Sequence, residues 1–217
     1  ESDESLEAFI HGYKTEIDKK YNGVVTRFTE KLLHPAREEE TTLGNLIADA
    51  LAEVSETQIM LIGSGSIRSE ELGPVVTLGS LKECFPFEDS LVKYQIKGKL
   101  LKKMFTHIMR TDNRNGEGEC FQINKRVQAV YSDKEKQLVS FTVDGKDVLD
   151  EGSYTVTLQN YHVVNSEANL GLTNAELIAG GNPKVVSTST RPVLEEWLRV
   201  NPNASSKIEG RIVYKSE

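Results

Sequence analysis

The sequence predicts an α+β (mixed α/β) fold, and three observations lead to it. Segments with apolar residues at three- and four-residue steps, the signature of amphipathic helices, sit among short β-branched runs. The two kinds alternate irregularly, and tight turns such as Asp144-Gly145 join neighbouring strands as hairpins. Neither feature suits a doubly wound parallel sheet. With 217 residues the chain can bury a substantial core. It shows no short-period repeat, no low-complexity segment and no linker after residue 37. The predicted organisation is a helix within residues 1–23 followed by one domain over residues 24–217.

Taken in order, Leu6, Phe9, Ile10, Tyr13, Ile17 and Tyr21 predict an amphipathic first helix, ended by Asn22-Gly23. A β-branched strand follows over residues 24–29. Thr41 or Thr42 can cap a helix whose inward face is Leu43, Leu46, Ile47, Ala50, Leu51 and Val54. The continuous apolar run Ile59-Met60-Leu61-Ile62 predicts a strand buried on both faces, leading into the glycine-rich loop Gly63-Ser64-Gly65-Ser66-Ile67-Arg68. Further strands are expected at residues 75–78, 90–97, 121–131, 138–143 and 154–158. Residues 79–87 read as a brief helical or looped piece. A helix over 99–110 carries Leu100, Leu101, Met104, Phe105 and Ile108 on one side, and its Lys99, Lys102 and Lys103 read as a solvated face. Residues 111–119 read as a surface loop, and residues 165–182 form a glycine- and asparagine-containing stretch with no element assigned. Pro192 starts a last helix with Val193, Leu194, Trp197 and Leu198 inward, and a turn and strand close the chain.

Composition narrows function. The 26 Lys+Arg against 33 Asp+Glu give a net charge of −7, which argues against a nucleic-acid polymer as partner, although a few local arginines suffice for a small anion. No apolar run approaches the ~20 residues that span a bilayer. No signal peptide opens the chain, and its first four residues read as a cut edge. Cys84 and Cys120 read as two reduced core thiols or one bridge. Arg37 and Arg68 flank the helix–strand–loop unit of residues 37–68 and make it a candidate anion site. On bare sequence, a structural salt bridge to Glu38, Glu39, Glu40 or Glu70 is the simpler reading of both. Phe87 and Tyr161 read equally simply as core aromatics.

The order of motifs resembles the C-terminal, substrate-recognition domain of the 5′-nucleotidase family, which includes UDP-sugar hydrolases and 2′,3′-cyclic-nucleotide phosphodiesterases. The matching pieces are Arg37 with Thr42-Leu43-Gly44-Asn45-Leu46-Ile47-Ala48-Asp49-Ala50, then Gly65-Ser66-Ile67-Arg68, Phe85-Pro86-Phe87 and Lys97-Gly98-Lys99-Leu100-Leu101. Gly118-Glu119-Cys120-Phe121-Gln122, Leu158-Gln159-Asn160-Tyr161 and the terminal Glu209-Gly210-Arg211-Ile212 follow in the right order. The resemblance implies that Arg37 and Arg68 grip the phosphate and ribose side of a nucleotide and that Phe87 and Tyr161 sandwich its base. Tyr161 stands where Phe is more usual and keeps the π-face. The first helix is similar to the one about which the family's two domains rotate; a plain capping helix is the alternative.

Three departures put the substrate's identity in question. Gly63 replaces an expected Asn. The usual Gly-Gly-Asp-Gly after the second aromatic is missing, leaving Glu167 at the offset of the ribose-binding aspartate. Asp89 brings a carboxylate towards the base, which would change the hydrogen-bond donors tolerated there. His11, His34, His107 and His162 are scattered and fit none of the family's metal-binding motifs. No cofactor is therefore expected in these residues. Two divalent metal ions and the hydrolytic chemistry are expected in a separate N-terminal metallophosphoesterase domain, absent from this chain, which becomes the natural partner. The expected function is to bind a nucleotide, nucleoside or nucleotide sugar for hydrolysis by that domain, without catalysis by the 217 residues alone. A ligand-binding or interaction module that has lost nucleotide recognition is the alternative. The resemblance also implies an extracytoplasmic setting: periplasm, cell surface or secreted.

Overall fold

The computed structural model describes residues 4–116 and 118–216. In chain order the elements are α1 (Glu4–Tyr21), β1 (Val24–Arg27), β2 (Leu32–Leu33), α2 (Thr42–Val54), β3 (Ile59–Gly63), β4 (Glu71–Leu72), β5 (Val75–Thr77), α3 (Leu78–Cys84), β6 (Leu91–Lys97) and α4 (Gly98–Ile108). Then come β7 (Phe121–Ile123), β8 (Val127–Ser132), β9 (Gln137–Val143), β10 (Lys146–Asp147), β11 (Ser153–Gln159), α5 (Asn160–Val164), α6 (Ser166–Leu170), α7 (Asn174–Ile178), β12 (Lys184–Ser187), α8 (Thr190–Val200) and β13 (Ile212–Lys215).

The centre is a five-stranded sheet of order β12-β6-β11-β3-β7, in which only β11 and β3 run parallel. This mixed sheet is the α+β architecture that the irregular alternation of segments predicts. All five residues of β3 are buried. Because successive strand side chains point to opposite faces, Ile59 and Leu61 enter one core while Met60 and Ile62 enter the other. The first core is completed by α4 and by the second sheet, of order β10-β9-β8-β13; the other is completed by α2, α3 and α8.

Thr41 rather than Thr42 caps α2, accepting Gly44 N–H at 3.0 Å. Gly44 is needed because a Cβ there would overlap the Gln122 side chain. That side chain accepts Thr41 N–H and donates to Glu39 O and Ser64 Oγ, joining the start of α2 to the loop after β3. The terminal motif is also structural. Arg211, 2% exposed, pairs with Asp49 and Glu209 at 2.8 Å. Glu40 accepts the backbone N–H groups of Glu209 and Arg211, so the end of the chain is sewn onto α2.

Three expectations change, and one unassigned stretch gains elements. The strand expected over 121–131 is two strands in different sheets, because Asn124 turns out of the ladder to bond Met60 N–H and Gln58 O. The stretch 165–182, to which no element is assigned from the sequence, holds α6 and α7, the latter started by a capping box between Thr173 and Glu176. Leu78 begins α3 rather than ending β5, because Thr77 and Ser80 form a second capping box. The first helix forms, but Phe9, Ile10, Tyr13 and Ile17 are exposed instead of facing a core. The Leu6 side chain lies outside the described residues. Cys84 and Cys120 are buried free thiols.

A cleft at one edge of the central sheet

β3 and β11 are parallel, so both end at the same edge of the sheet, and their antiparallel neighbours β7 and β6 begin there. That edge is where ligands approach an open sheet containing parallel strands. Four loops meet on it: residues 63–68 after β3, residues 87–89 before β6, Glu119 before β7, and α5 directly after β11. They enclose a cleft of about 630 Å³, within the range usual for small-molecule sites, roughly 300–1,000 Å³. Arg37, Arg68, Phe87 and Tyr161 all line it.

Buried side chains fix the base of the cleft. His34 contacts Thr41 Oγ1 at 2.8 Å through Nδ1 and Ser64 O at 3.1 Å through Nε2, holding the segment that carries Arg37 against the loop that carries Arg68. Burial pushes the His34 pKa below the ordinary histidine value, so the ring is neutral near pH 7. Gln159 Oε1, at the end of β11, accepts from Gly63 N–H and Ser66 Oγ, both at 3.1 Å. Arg68 N–H donates to Cys84 O at 2.7 Å.

The functional groups on the rim are freer. Phe87 is 46% exposed and Tyr161 58%, so neither is a core aromatic. Among the described residues neither Arg37 nor Arg68 forms an ion pair, which removes the structural salt bridge as their reason for being there. Asp89 departs from expectation: its carboxylate is occupied, accepting Ser90 N–H at 2.9 Å and Tyr161 N–H at 2.7 Å. It ties the two aromatic sides of the cleft together instead of facing a ligand. Glu167 is exposed on α6 and does not line the cleft, so the matching sequence offset does not bring it there.

Two groups that sequence reasoning did not single out do line it. His162 is buried at 1% exposure, with its ring edge-on to Phe121 and Tyr161, and burial pulls its pKa down to about 4. Glu119 is half-buried; burial raises its pKa, against the opposing pull of Arg37 and a bond from Gly65 N–H. No cue in the linear order marks this pair, because only the strand pairings of β3 with β7 and β11 bring it together. Among the described residues no three His, Cys, Asp or Glu side chains group so as to hold a metal ion, and no helix is long and apolar enough to cross a membrane.

A family model described as "5'-nucleotidase, C-terminal domain" matches residues 16–172. Over 122 residues the chain is 29% identical to "Endonuclease YhcR" of Bacillus subtilis, covering 56% of this chain and 10% of that protein. It is also 29% identical over 117 residues to a "Snake venom 5'-nucleotidase" of Naja atra, covering 48% of this chain and 22% of the venom protein. Among solved structures, the 5'-nucleotidase precursor of Thermus thermophilus superposes with a TM-score of 0.78 at 21% identity, over 97% of this chain and 43% of that one. The chain thus spans less than half the length of each of these relatives.

Proposed function

Because the chain belongs to the 5′-nucleotidase C-terminal domain family, we propose that it is the substrate-binding part of a 5′-nucleotidase-like phosphohydrolase. The reading rests on one observation: two arginines that form no ion pair among the described residues and two exposed aromatic rings line the same cleft. Phe87 and Tyr161 take a nucleobase between them, since stacking needs only a π-face. Arg37 and Arg68 orient the phosphate, for which a guanidinium offers a planar fork of donors. The partner is a metallophosphoesterase domain of the same protein, which supplies two divalent metal ions and the hydrolytic step. The setting is extracytoplasmic, in keeping with a relative named as a venom protein.

Titrating adenosine and UMP into the 217-residue chain, with NMR signals of Phe87 and Tyr161 as readout, tests the reading. Saturable shifts at millimolar ligand are expected. Phe87→Ala or Tyr161→Ala should each weaken binding by about 1–3 kcal/mol. Absence of saturation in the parent chain would favour a module that has lost nucleotide recognition, the reading that Gly63 in place of Asn motivates.

A further inference from the structure

Gly63 marks the place where the cleft is built differently from what its loop sequence leads one to expect. A Cβ on Gly63 would sit 2.5 Å from His162 Nε2 and 2.6 Å from Glu119 Oε1, closer than real Cβ contacts allow. The space of the expected Asn side chain is therefore not vacant. An imidazole and a carboxylate, from α5 and from the loop before β7, fill it.

Neither group is satisfied. His162 Nε2 is buried and has no hydrogen-bond partner among the described residues, although the ring lines the cleft. Asn169 Nδ2 lies 3.4 Å from Nδ1, so Nδ1 accepts and the ring proton falls on Nε2, towards Glu119. A buried N–H without a partner costs roughly as much as a lost hydrogen bond, so its presence calls for an acceptor. Glu119 is also the open carboxylate of the cleft. Glu88 pairs with Arg191, and Asp89 accepts two backbone N–H groups. Glu119 has Gly65 N–H as a neighbour and, among the described residues, makes no ion pair. The point where a Gly65 Cβ would sit is 3.7 Å from both Glu119 Oε1 and Arg37 Nη1. The carboxylate thus has both the arginine and the imidazole as neighbours.

We propose that Glu119 is the specificity-determining group of this cleft, accepting a hydrogen bond from an uncharged O–H or N–H donor of the ligand, with His162, whose Nε2–H lies beside the carboxylate without bonding it in this structure, as the positioning residue. The proposal rests on the nucleotide-binding reading and deepens it. A carboxylate beside Arg37 repels a phosphate, so the part of the ligand over Glu119 is neutral and carries a donor. A sugar hydroxyl and a base amino group share that chemistry.

The test measures dissociation constants of adenosine, 2′-deoxyadenosine, 3′-deoxyadenosine and purine riboside for the 217-residue chain and three variants. The parent is expected to bind adenosine about 10- to 100-fold more tightly than the analogue lacking the donor, the range for a hydrogen bond to a charged group. A deoxy analogue showing the gap identifies a sugar hydroxyl; purine riboside showing it identifies the amino group. Glu119→Ala should close the gap by weakening adenosine alone. His162→Leu should narrow it, and His162→Gln, which keeps an N–H donor, should restore part of it. Adenosine that saturates the parent with equal affinities for all four ligands, or an unchanged ranking in Glu119→Ala, overturns this proposal and leaves the nucleotide reading standing. Failure of adenosine to saturate the parent overturns both.

Discussion

The buried imidazole makes the protein acid-labile in a defined window. His162 titrates near 6.5 in the unfolded chain and near 4 in the fold, because burial penalises the charged ring. Between those values the unfolded state binds a proton that the folded state refuses. Its contribution to stability is therefore intact above about pH 6.5, falls as the pH drops, and is fully lost below about pH 4. The shift corresponds to about 3 kcal/mol across the window. Glu119, the titratable group facing it, has the opposite sign: its raised pKa favours the protonated form in the fold, so its contribution grows as the pH falls. Phe121, Tyr161 and Asn169 complete the surroundings. Urea midpoints of the parent and His162→Leu at pH 7.0, 5.5 and 4.5 check the magnitude. Leucine cannot titrate, so the variant should lose about 2–3 kcal/mol less than the parent between the extremes. His34 shares the direction of the shift but is present in both proteins and cancels. Equal losses in the two proteins would refute the assignment of a buried, neutral His162.

Three further substitutions probe how the cleft is held. Asp89→Ala frees Tyr161 N–H and Ser90 N–H at once; we expect a loss of about 1–3 kcal/mol in stability and weaker adenosine binding, measured by urea denaturation and ligand titration. Arg211→Met strands the carboxylates of Asp49 and Glu209 beside a buried site; thermal melting should report a loss of about 3–5 kcal/mol, the cost of breaking a buried pair. Gly44→Ala, which in an ordinary helix would stabilise, should instead cost about 2 kcal/mol because Gln122 must leave its place. Amide exchange at Ser64 should rise in that variant if Gln122 is what joins α2 to the loop.

Much of the architecture is legible in the residues because it follows from local pattern. β3 announces itself as an unbroken apolar run, since a strand buried on both faces has no polar side to show. α2 and α4 carry long apolar stripes that packing honours. The short elements are harder. α6 and α7 have five residues each, too few for a periodic signal, although Thr173 and Glu176 spell a capping box that marks the start of the second. The exposed stripe of α1 shows the opposite failure: the pattern names an apolar face without naming what it packs against. Arg37, Arg68, Phe87 and Tyr161 line one cleft although they are far apart in the chain, whereas Glu167 shows how little a sequence offset constrains position. Asp89 reads as a ligand-facing charge until the fold supplies two backbone donors for it.

The cleft combines a stiff base with an open rim, and this division sets what the chain can do. Gln159, His34, Gln122 and Asp89 each bridge a strand end or helix start to a loop, with bonds that exist without a ligand. A ligand therefore does not have to order the backbone around it, which lowers the cost of binding. The groups that would contact it are, by contrast, long or exposed side chains with few bonds of their own. Their contacts form in water, where screening limits a guanidinium–phosphate pair to modest strength. On the proposed function, the expected affinity from that balance is millimolar. Covering the rim with a second protein surface would exclude water, strengthen the arginine contacts and fix the two rings, so the same residues would bind more tightly in a longer protein without any change in their positions.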